Sequence, residues 1–402
     1  MKKQFISLML GAAMGAGLLA GCGSTSSSAT SAASSAASSA AASTSSAAAG
    51  ESTSTASTAA SESAESSSAT EAVKAASIAS ASGAAGTVDA TGLTCAIVPK
   101  SAGNPYNEKE CQGFQDVIEA CGGTAVVTYP DAATADSQIT VIQSLISQGV
   151  DSIIIAANDE NALAASIQQA RDQGIKVACL DSKTNPDSRD TFVNQAGTEE
   201  IGQALMDAVY DISGGSGQWA ILSATSQAAN QNAWIDAMKT IMQEDKYKDL
   251  ELVEIAYGDD EPQKSTDQTQ ALLQKYPDLK VLCSPTTVGI AAAAKVLQDQ
   301  GSSVKLTGLG LPSEMAEYIG DDDTHSCPYM FLWNPIDVGR LGAYTSIALV
   351  KGEITGAVGD TFSAGDMGEY TVTQAADGGT EVILGAPFKF DPSNIDEWKD
   401  VY

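Results

Sequence analysis

The stretch Asp151–Asp181 reads DSIIIAANDENALAASIQQARDQGIKVACLD, and its reading decides the fold. Ile153–Ala157 is a short apolar run rich in β-branched residues, which suits a buried strand. Asn158-Asp159-Glu160 then places capping and acidic residues where a helix would start. Leu163, Ile167 and Ala170 recur at helical spacing, and Gly174 sits where a C-cap should be. Val177–Leu180 is a second apolar run that ends on Asp181. Strand, helix and strand within about thirty residues make a βαβ unit with parallel strands. Both faces of such a sheet are covered, so its strands are apolar throughout rather than alternating. Ligands of open α/β sheets bind beyond the carboxyl ends of the strands. Asn158, Asp159 and Asp181 lie at such ends, which makes Asp181 a candidate ligand-contacting carboxylate. The competing reading is a solvated loop acid.

The alternation continues in both directions. Upstream, Leu93–Val98 is a strand ending at Pro99-Lys100, and Asn104-Pro105-Tyr106 opens a helix whose face carries Cys111, Phe114, Val117 and Ile118. Gly122-Gly123 stops that helix, Thr124–Thr128 is the next strand, and a helix through Val141, Leu145 and Ile146 ends at Gly149. Downstream, Thr191–Val193 leads to Asn194-Gln195 and a long helix through Ile201, Leu205 and Val209. Trp219–Leu222, Leu250–Ala256, Val281–Cys283 and Val304–Leu309 read as strands, with helices between them. The first of those helices follows Ser226–Gln231 and carries Trp234 and Met238. Two α/β lobes in tandem follow, each a doubly wound parallel sheet. The cleft between such lobes is a preferred place for a small ligand. The last part differs: Tyr329–Trp333 is a strand, Ile336–Lys351 a helix, and Tyr370–Leu384 a hairpin-like pair around Asp377-Gly378-Gly379. Trp219 and Trp398 read as structural.

Composition narrows the partners. The chain has 402 residues, room for two or three domains, and a formal net charge of −29. That charge disfavours nucleic acid and anionic membrane surfaces. Lys2-Lys3 is a basic n-region and Phe5–Ala20 an h-region of apolar and small residues. Leu19-Ala20-Gly21-Cys22 follows and resembles the bacterial lipobox, which implies cleavage before Cys22 and lipid on its thiol. The alternative, a transmembrane anchor, is at the short limit of the roughly 17–25 residues a span needs. Residues 23 to about 88 are almost entirely Ser, Ala, Thr, Gly and Glu, so a disordered tether is expected, with a mean span of roughly 45 Å. No C-x-x-C spacing occurs among the seven cysteines, which read mainly as structural thiols.

Enzyme chemistry finds little support. The one histidine, His325, lies in the polar run Asp322-Asp323-Thr324-His325. Gly214-Gly215-Ser216-Gly217 lacks the spacing of a nucleophile elbow. There is no phosphate loop and no His/Cys cluster for zinc, and Asp321-Asp322-Asp323 lacks the spaced oxygen ligands of a calcium loop. Paired carboxylates could still serve a glycosidase. No cofactor and no metal is expected.

Lipobox, Ser-rich tether and two α/β lobes together resemble a type I solute-binding protein of a bacterial ABC sugar importer, from about Leu93 to the end. Asn104-Pro105-Tyr106 is similar to the Asn-Pro-aromatic opening of ribose-type binding proteins. Val98-Pro99-Lys100, Leu180-Asp181-Ser182, Val193-Asn194-Gln195-Ala196-Gly197 and Leu332-Trp333-Asn334-Pro335-Ile336-Asp337 resemble the rhamnose-binding and autoinducer-2-binding branch. In the autoinducer-2 branch a Lys, two Asp, a Gln, a Pro carbonyl and an Ala hold the ligand. Lys100, Asp181, Gln231 and Pro285 match, whereas Asn230 replaces the second Asp and Thr287 the Ala. The Leu-Trp-Asn-Pro segment is more similar to the rhamnose side, so the resemblance favours a six-carbon or deoxy sugar, with autoinducer-2 the alternative.

The expected site follows. Asp181, Asn194, Gln195, Asn230, Gln231 and Asn334 supply carboxylate and amide groups suited to neighbouring hydroxyls, at about 1.5–3 kcal/mol per charge-assisted bond. Lys100 donates to a ring oxygen or hydroxyl and pairs with Asp181, and Asn104, Pro285 and Thr287 complete the strand-end set. Tyr106, Trp234 and Trp333 offer faces for a sugar ring, though each is equally suited to a core. The resemblance implies a type I periplasmic-binding-protein fold with a multi-strand hinge. Its expected parts are a leader over 1–21, a tether over 22–88, an N-terminal lobe of 89–195 plus 328–358, and a C-terminal lobe of 196–327 plus 359–402. The implied protein is a monomeric lipoprotein on the extracytoplasmic face of the membrane that hands a monosaccharide to ABC permease subunits. A sugar sensor for a membrane receptor uses the same closed lobes as its signal, and a secreted carbohydrate-active enzyme is the third reading.

Overall fold

Seven short segments, the central ones apolar and buried, build the first sheet of the computed structural model, which describes residues 88–402. The expected leader, tether and lipidated Cys22 lie outside the described residues. The strands are β1 (Thr94–Val98), β2 (Thr124–Val127), β3 (Ser152–Ile155), β4 (Lys176–Leu180) and β5 (Phe192–Asn194), joined late in the chain by β13 (Thr373–Gln374) and β14 (Thr380–Ile383). Their order is β13-β14-β5-β4-β3-β1-β2, and all neighbours are parallel except β13 with β14. Alternate side chains feed opposite faces, as the pleat requires. Cys95, Ile97 and Ile154 join helices α1 (Pro105–Ala120) and α9 (Pro335–Lys351). Ala96, Val98, Ile153 and Ile155 join α2 (Ala135–Gln148) and α3 (Ala164–Asp172) on the other face.

The second sheet runs β7-β6-β8-β9, all parallel, from β6 (Gly217–Ser223), β7 (Leu250–Tyr257), β8 (Leu279–Ser284) and β9 (Lys305–Gly308). Helices α4 (Thr198–Ser213) and α5 (Ala229–Ile241) pack together, as do α6 (Pro262–Lys275) and α7 (Thr287–Asp299). The short α8 (Pro312–Met315) follows β9. β10 (Met330–Leu332) adjoins β9 through Leu309–Phe331 and pairs antiparallel with β15 (Phe388–Phe390), near the closing turn α10 (Ile395–Trp398). A two-stranded ribbon, β11 (Thr361–Ser363) with β12 (Glu369–Thr371), precedes β13.

Sheet membership shifts two expected boundaries. Residues 361–384 were expected in the second lobe, yet β14 lies beside β5 in the first sheet. Residues 328–333 were expected in the first, yet β10 belongs to the second. The Asp377 hairpin turns the chain back along the open edge of β5, where unpaired backbone groups await a partner. The chain therefore crosses between lobes three times, near Gln195, Trp333 and Ala386.

Local chemistry sets the helix starts. Asn104 accepts the N–H groups of Tyr106 at 3.0 Å and Asn107 at 3.4 Å, with Pro105 first in the helix. Asn334-Pro335 opens α9 the same way, Asn334 accepting from Ile336 at 3.0 Å. The expected cap at Asn158–Glu160 does not form. Asp159 closes a turn on Asn161 and Ala162, and Asn158 is drawn to other partners, so α3 starts later, at Ala164. The six described cysteines are buried and free. Trp219 and Trp398 are enclosed in the core.

α1 and α9 touch backbone to backbone. A Cβ at Gly113 would overlap the Ile336 carbonyl, and one at Gly339 the Glu110 carbonyl. Gly339→Ala should cost about 1–3 kcal/mol, because the obstacle is backbone and cannot rotate away. Urea denaturation checks this: an unchanged midpoint would mean that the helices are free to separate.

Candidate functional site

The site is assembled from strand ends. Gln138 of α2 donates to the carbonyls of Pro99 at 3.1 Å and Ala156 at 2.7 Å, tying the ends of β1 and β3 together. Asn158 donates its side-chain amide to the Lys100 carbonyl at 2.8 Å and its N–H to Gln138 at 2.9 Å. Lys100 is thus fixed at its backbone and free only along its stem. Its ammonium crosses the cleft to Asn230 Oδ1 at 2.6 Å and Gln231 Oε1 at 3.2 Å, at the start of α5 in the other lobe. Asn230 returns with its amide, donating to Asp181 Oδ2 at 3.2 Å. The direct Lys100–Asp181 pair expected from the sequence is replaced by this bridge.

Asp181 ends β4 in the left-handed region, with φ of 57°. That conformation costs an ordinary residue about 1–2 kcal/mol and is met where the surroundings over-determine it. Ser182 does so here, donating its hydroxyl to Ala157 O at 2.7 Å and accepting the Ala157 N–H at 2.9 Å. Burial raises the Asp181 carboxyl above its usual range, while the charge of Lys100 and hydrogen bonding to Tyr106 and Asn230 act against it.

The second lobe presents a matching acid. Asp260, just past β7, also has a positive φ of 54° and accepts the Thr286 hydroxyl. Burial raises its carboxyl too, again opposed by Lys100. Asp260 was not among the residues expected in the site. The signal was available, since it follows a strand end just as Asp181 does.

The aromatic wall joins both lobes. Trp333 Nε1 donates to the Tyr106 hydroxyl at 2.6 Å, the rings meeting edge to face at 6.5 Å. Trp234 lies 5.7 Å from Trp333 at a tilt of 60°. Lys100, Asn104, Tyr106, Asp181, Gln231, Trp234, Pro285, Thr287 and Trp333 line one cavity. Asn107, Asp260, Thr286, Leu309 and Leu332 line it as well. The room left is about 30 Å³, enough for one or two waters. With this little room and hydrogen bonds running across the cleft, the lobes stand closed.

Three other expected residues fall elsewhere. Asn194 donates to Glu381 at 2.8 Å, inside the β5–β14 pairing. Gln195 and Asn334 line a second cavity on another side of Trp333, and Asn334 donates to Asp337 at 2.9 Å. Asn230 is not in the lining but braces Lys100 and Asp181. His325 rests in its loop on Asp322 at 2.9 Å. Among the described residues there is no cluster of three metal-ligating side chains, and no helix long and apolar enough to cross a membrane.

Behind the cavity lies Glu110, one turn after Tyr106 on α1. It is fully buried, and neither carboxyl oxygen has a hydrogen-bond partner in the protein. Burial pushes its carboxyl well above the usual range; the Asp181 charge adds to this and Lys100 opposes it. An acid at helical spacing between Tyr106 and Phe114 is the sequence signal for it, and it was missed.

Residues 95–354 match the profile of the periplasmic binding protein domain family. A solved ABC transporter solute-binding protein from Clostridium phytofermentas, with bound L-rhamnose, is 64% identical. That likeness covers 78% of this chain and all of that one, with a TM-score of 0.77. An LsrB protein from Clostridium saccharobutylicum in complex with AI-2 is 21% identical. It covers 76% of this chain and 99% of its own at a TM-score of 0.71, a likeness of fold alone. The D-ribose/D-allose-binding protein of Pseudomonas aeruginosa is 27% identical over 196 residues, 44% of this chain. The match spans only 57% of that relative's length.

Glu110 gives a pH prediction. A carboxyl raised on folding binds more protons in the folded state, so its contribution is greatest below its unfolded value and is lost as pH rises through the folded one. Glu110→Gln should therefore melt higher relative to the native protein as pH is raised from about 5 to 8. Asp181 and Asp260 shift the same way and keep part of the native slope. A melting-temperature difference that stays flat across this range would show Glu110 to be ordinarily ionised.

Proposed function

The chain belongs to the periplasmic binding protein family of ABC-transporter solute-binding proteins, and we propose that it captures L-rhamnose, or a closely similar deoxy sugar, between its lobes. One observation carries the reading: Lys100 and Asp181 of one lobe meet Asn230, Gln231 and Asp260 of the other beside Tyr106, Trp234 and Trp333. Carboxylates and amides bond neighbouring hydroxyls, and aromatic faces cover the apolar face of a ring. Leu309 and Leu332 add a dry patch that suits the methyl group of a deoxy sugar. In this reading the ligand displaces the Lys100–Asn230–Gln231 bonds and takes them over, so closure is retained with sugar in place of amide. The L-rhamnose-bound relative supports the choice of sugar. The likeness to the AI-2 complex is one of fold alone, and in the resemblance read from the sequence Asn230 and Thr287 replace an Asp and an Ala of that branch.

The loaded protein, acting as a monomer, would present its closed lobes to ABC permease subunits outside the cytoplasm and return the sugar unmodified. Cys22 is proposed as the lipid anchor, and residues 22–88 as the tether. Cys22→Ser should release the protein from the membrane fraction and leave sugar affinity intact. Retention of the processed variant in membranes would refute the anchor.

Calorimetry with L-rhamnose tests the site. Asp181→Ala should weaken binding about a hundredfold or more, since it removes charge-assisted bonds and leaves buried hydroxyls unpaired. Asp181→Gly should lose binding equally yet fold about 1 kcal/mol more stably than Asp181→Ala, because glycine takes the positive φ freely. L-mannose, which carries a hydroxyl on the methyl carbon, should bind up to about a hundredfold more weakly than L-rhamnose. Near-native affinity in Asp181→Ala would remove this strand end from the site.

A further inference from the structure

The three crossings between lobes enclose a second cavity. Gln195, the Trp333–Asn334 junction and Leu384–Phe388 all line it, with a volume of about 440 Å³. That lies within the roughly 300–1,000 Å³ typical of small-molecule sites. Its wall is largely apolar, formed chiefly by Trp333, Tyr370, Leu384, Phe388 and Tyr402.

Two polar features define what would fit. Gln195 is 1% exposed, and its Oε1 has no hydrogen-bond partner in the protein. A buried amide oxygen left so is costly, and a donor brought by a ligand would relieve it. Also on the wall, Arg340 donates to Asp337 at 2.8 Å and to both oxygens of Asp366 at 2.7 Å. Two carboxylates share one guanidinium, so the cluster is net negative and already satisfied. It offers nothing to an anion.

We propose that this hinge cavity binds a small uncharged amphiphile, with an aromatic or aliphatic body against Trp333 and Phe388 and a hydroxyl or carboxamide N–H donating to Gln195. All three crossings form its wall, and Trp333 is also a wall of the cleft cavity. An occupant therefore favours the closed lobes, the state that the proposed sugar also takes. Any ligand that prefers the closed state tightens the other ligand by the same factor. This coupling rests on the sugar reading above; the existence of the site does not.

Benzyl alcohol, benzamide, toluene and benzoate are the probes, read on the full chain by ligand-detected NMR and by melting temperature. Benzyl alcohol and benzamide should bind at millimolar concentration and raise the melting temperature, while benzoate should do neither. Gln195→Leu should erase the preference for benzyl alcohol over toluene. Ala386→Phe, which fills the cavity from its rim, should abolish probe binding and still take up L-rhamnose. With benzamide bound, L-rhamnose affinity should rise about fivefold or more by calorimetry. Absence of probe binding, or equal binding to Ala386→Phe, overturns the site. Probe binding with unchanged sugar affinity overturns the coupling. If L-rhamnose does not bind at all, the sugar reading fails, and probe binding alone still decides the cavity.

Discussion

An ammonium group placed between two lobes needs oxygen acceptors from both, and the position of Lys100 imposes that constraint on the rest of the cleft. Its backbone is held by Gln138 and Asn158 within the first lobe, while its charge is satisfied by Asn230 and Gln231 of the second. Charge-assisted bonds of this kind contribute about 1.5–3 kcal/mol each when buried. Such a latch is strong enough to hold the lobes together and weak enough for a polyol to replace. The carboxylates of Asp181 and Asp260 line the same cavity, and the charge of Lys100 counters their desolvation. Without it, two buried acids would share the cleft with no positive charge to offset them.

The two acids also share a backbone conformation. Asp181, directly after β4, and Asp260, three residues after β7, both turn with positive φ and line the cleft cavity. Such residues trade stability for position. Ser182 and Thr286 are the neighbours that hold each turn or its carboxylate in place. Glu110 belongs to the same economy: a helix that carries Asn104 and Tyr106 to the cleft also buries an acid without a partner.

How much of this was legible in the sequence varies with the range of the interaction. The alternation of strands and helices, the Asn-Pro starts and the Gly149 stop are local, and local rules place them. Asp181 follows from a strand end that the hydrophobic pattern marks, whereas Lys100 and Gln231 were singled out by the family resemblance and Trp234 by the general affinity of aromatic faces for sugar rings. Asp260 obeyed the same rule but was masked by the acids on either side. Lobe membership after Asn334 was not legible, because it depends on β14 finding the edge of β5 some two hundred residues earlier in the chain. Asn194, Gln195 and Asn334 stand beside true strand ends, yet sheet pairing and helix capping claim Asn194 and Asn334, and the crossing turns Gln195 the other way. No periodicity reports that choice.

The placement of the four tryptophans has an optical consequence. Trp219 and Trp398 are sealed in packed cores and see the same surroundings whatever the lobes do. Trp333 sits on a crossing, bonded to Tyr106 of one lobe and in ring contact with Trp234 of the other. Parting the lobes changes the polarity and the ring neighbours of that pair alone. The molecule thus carries a built-in fluorophore at its moving joint and two constant ones as an internal standard, so its state of closure is written in its own emission.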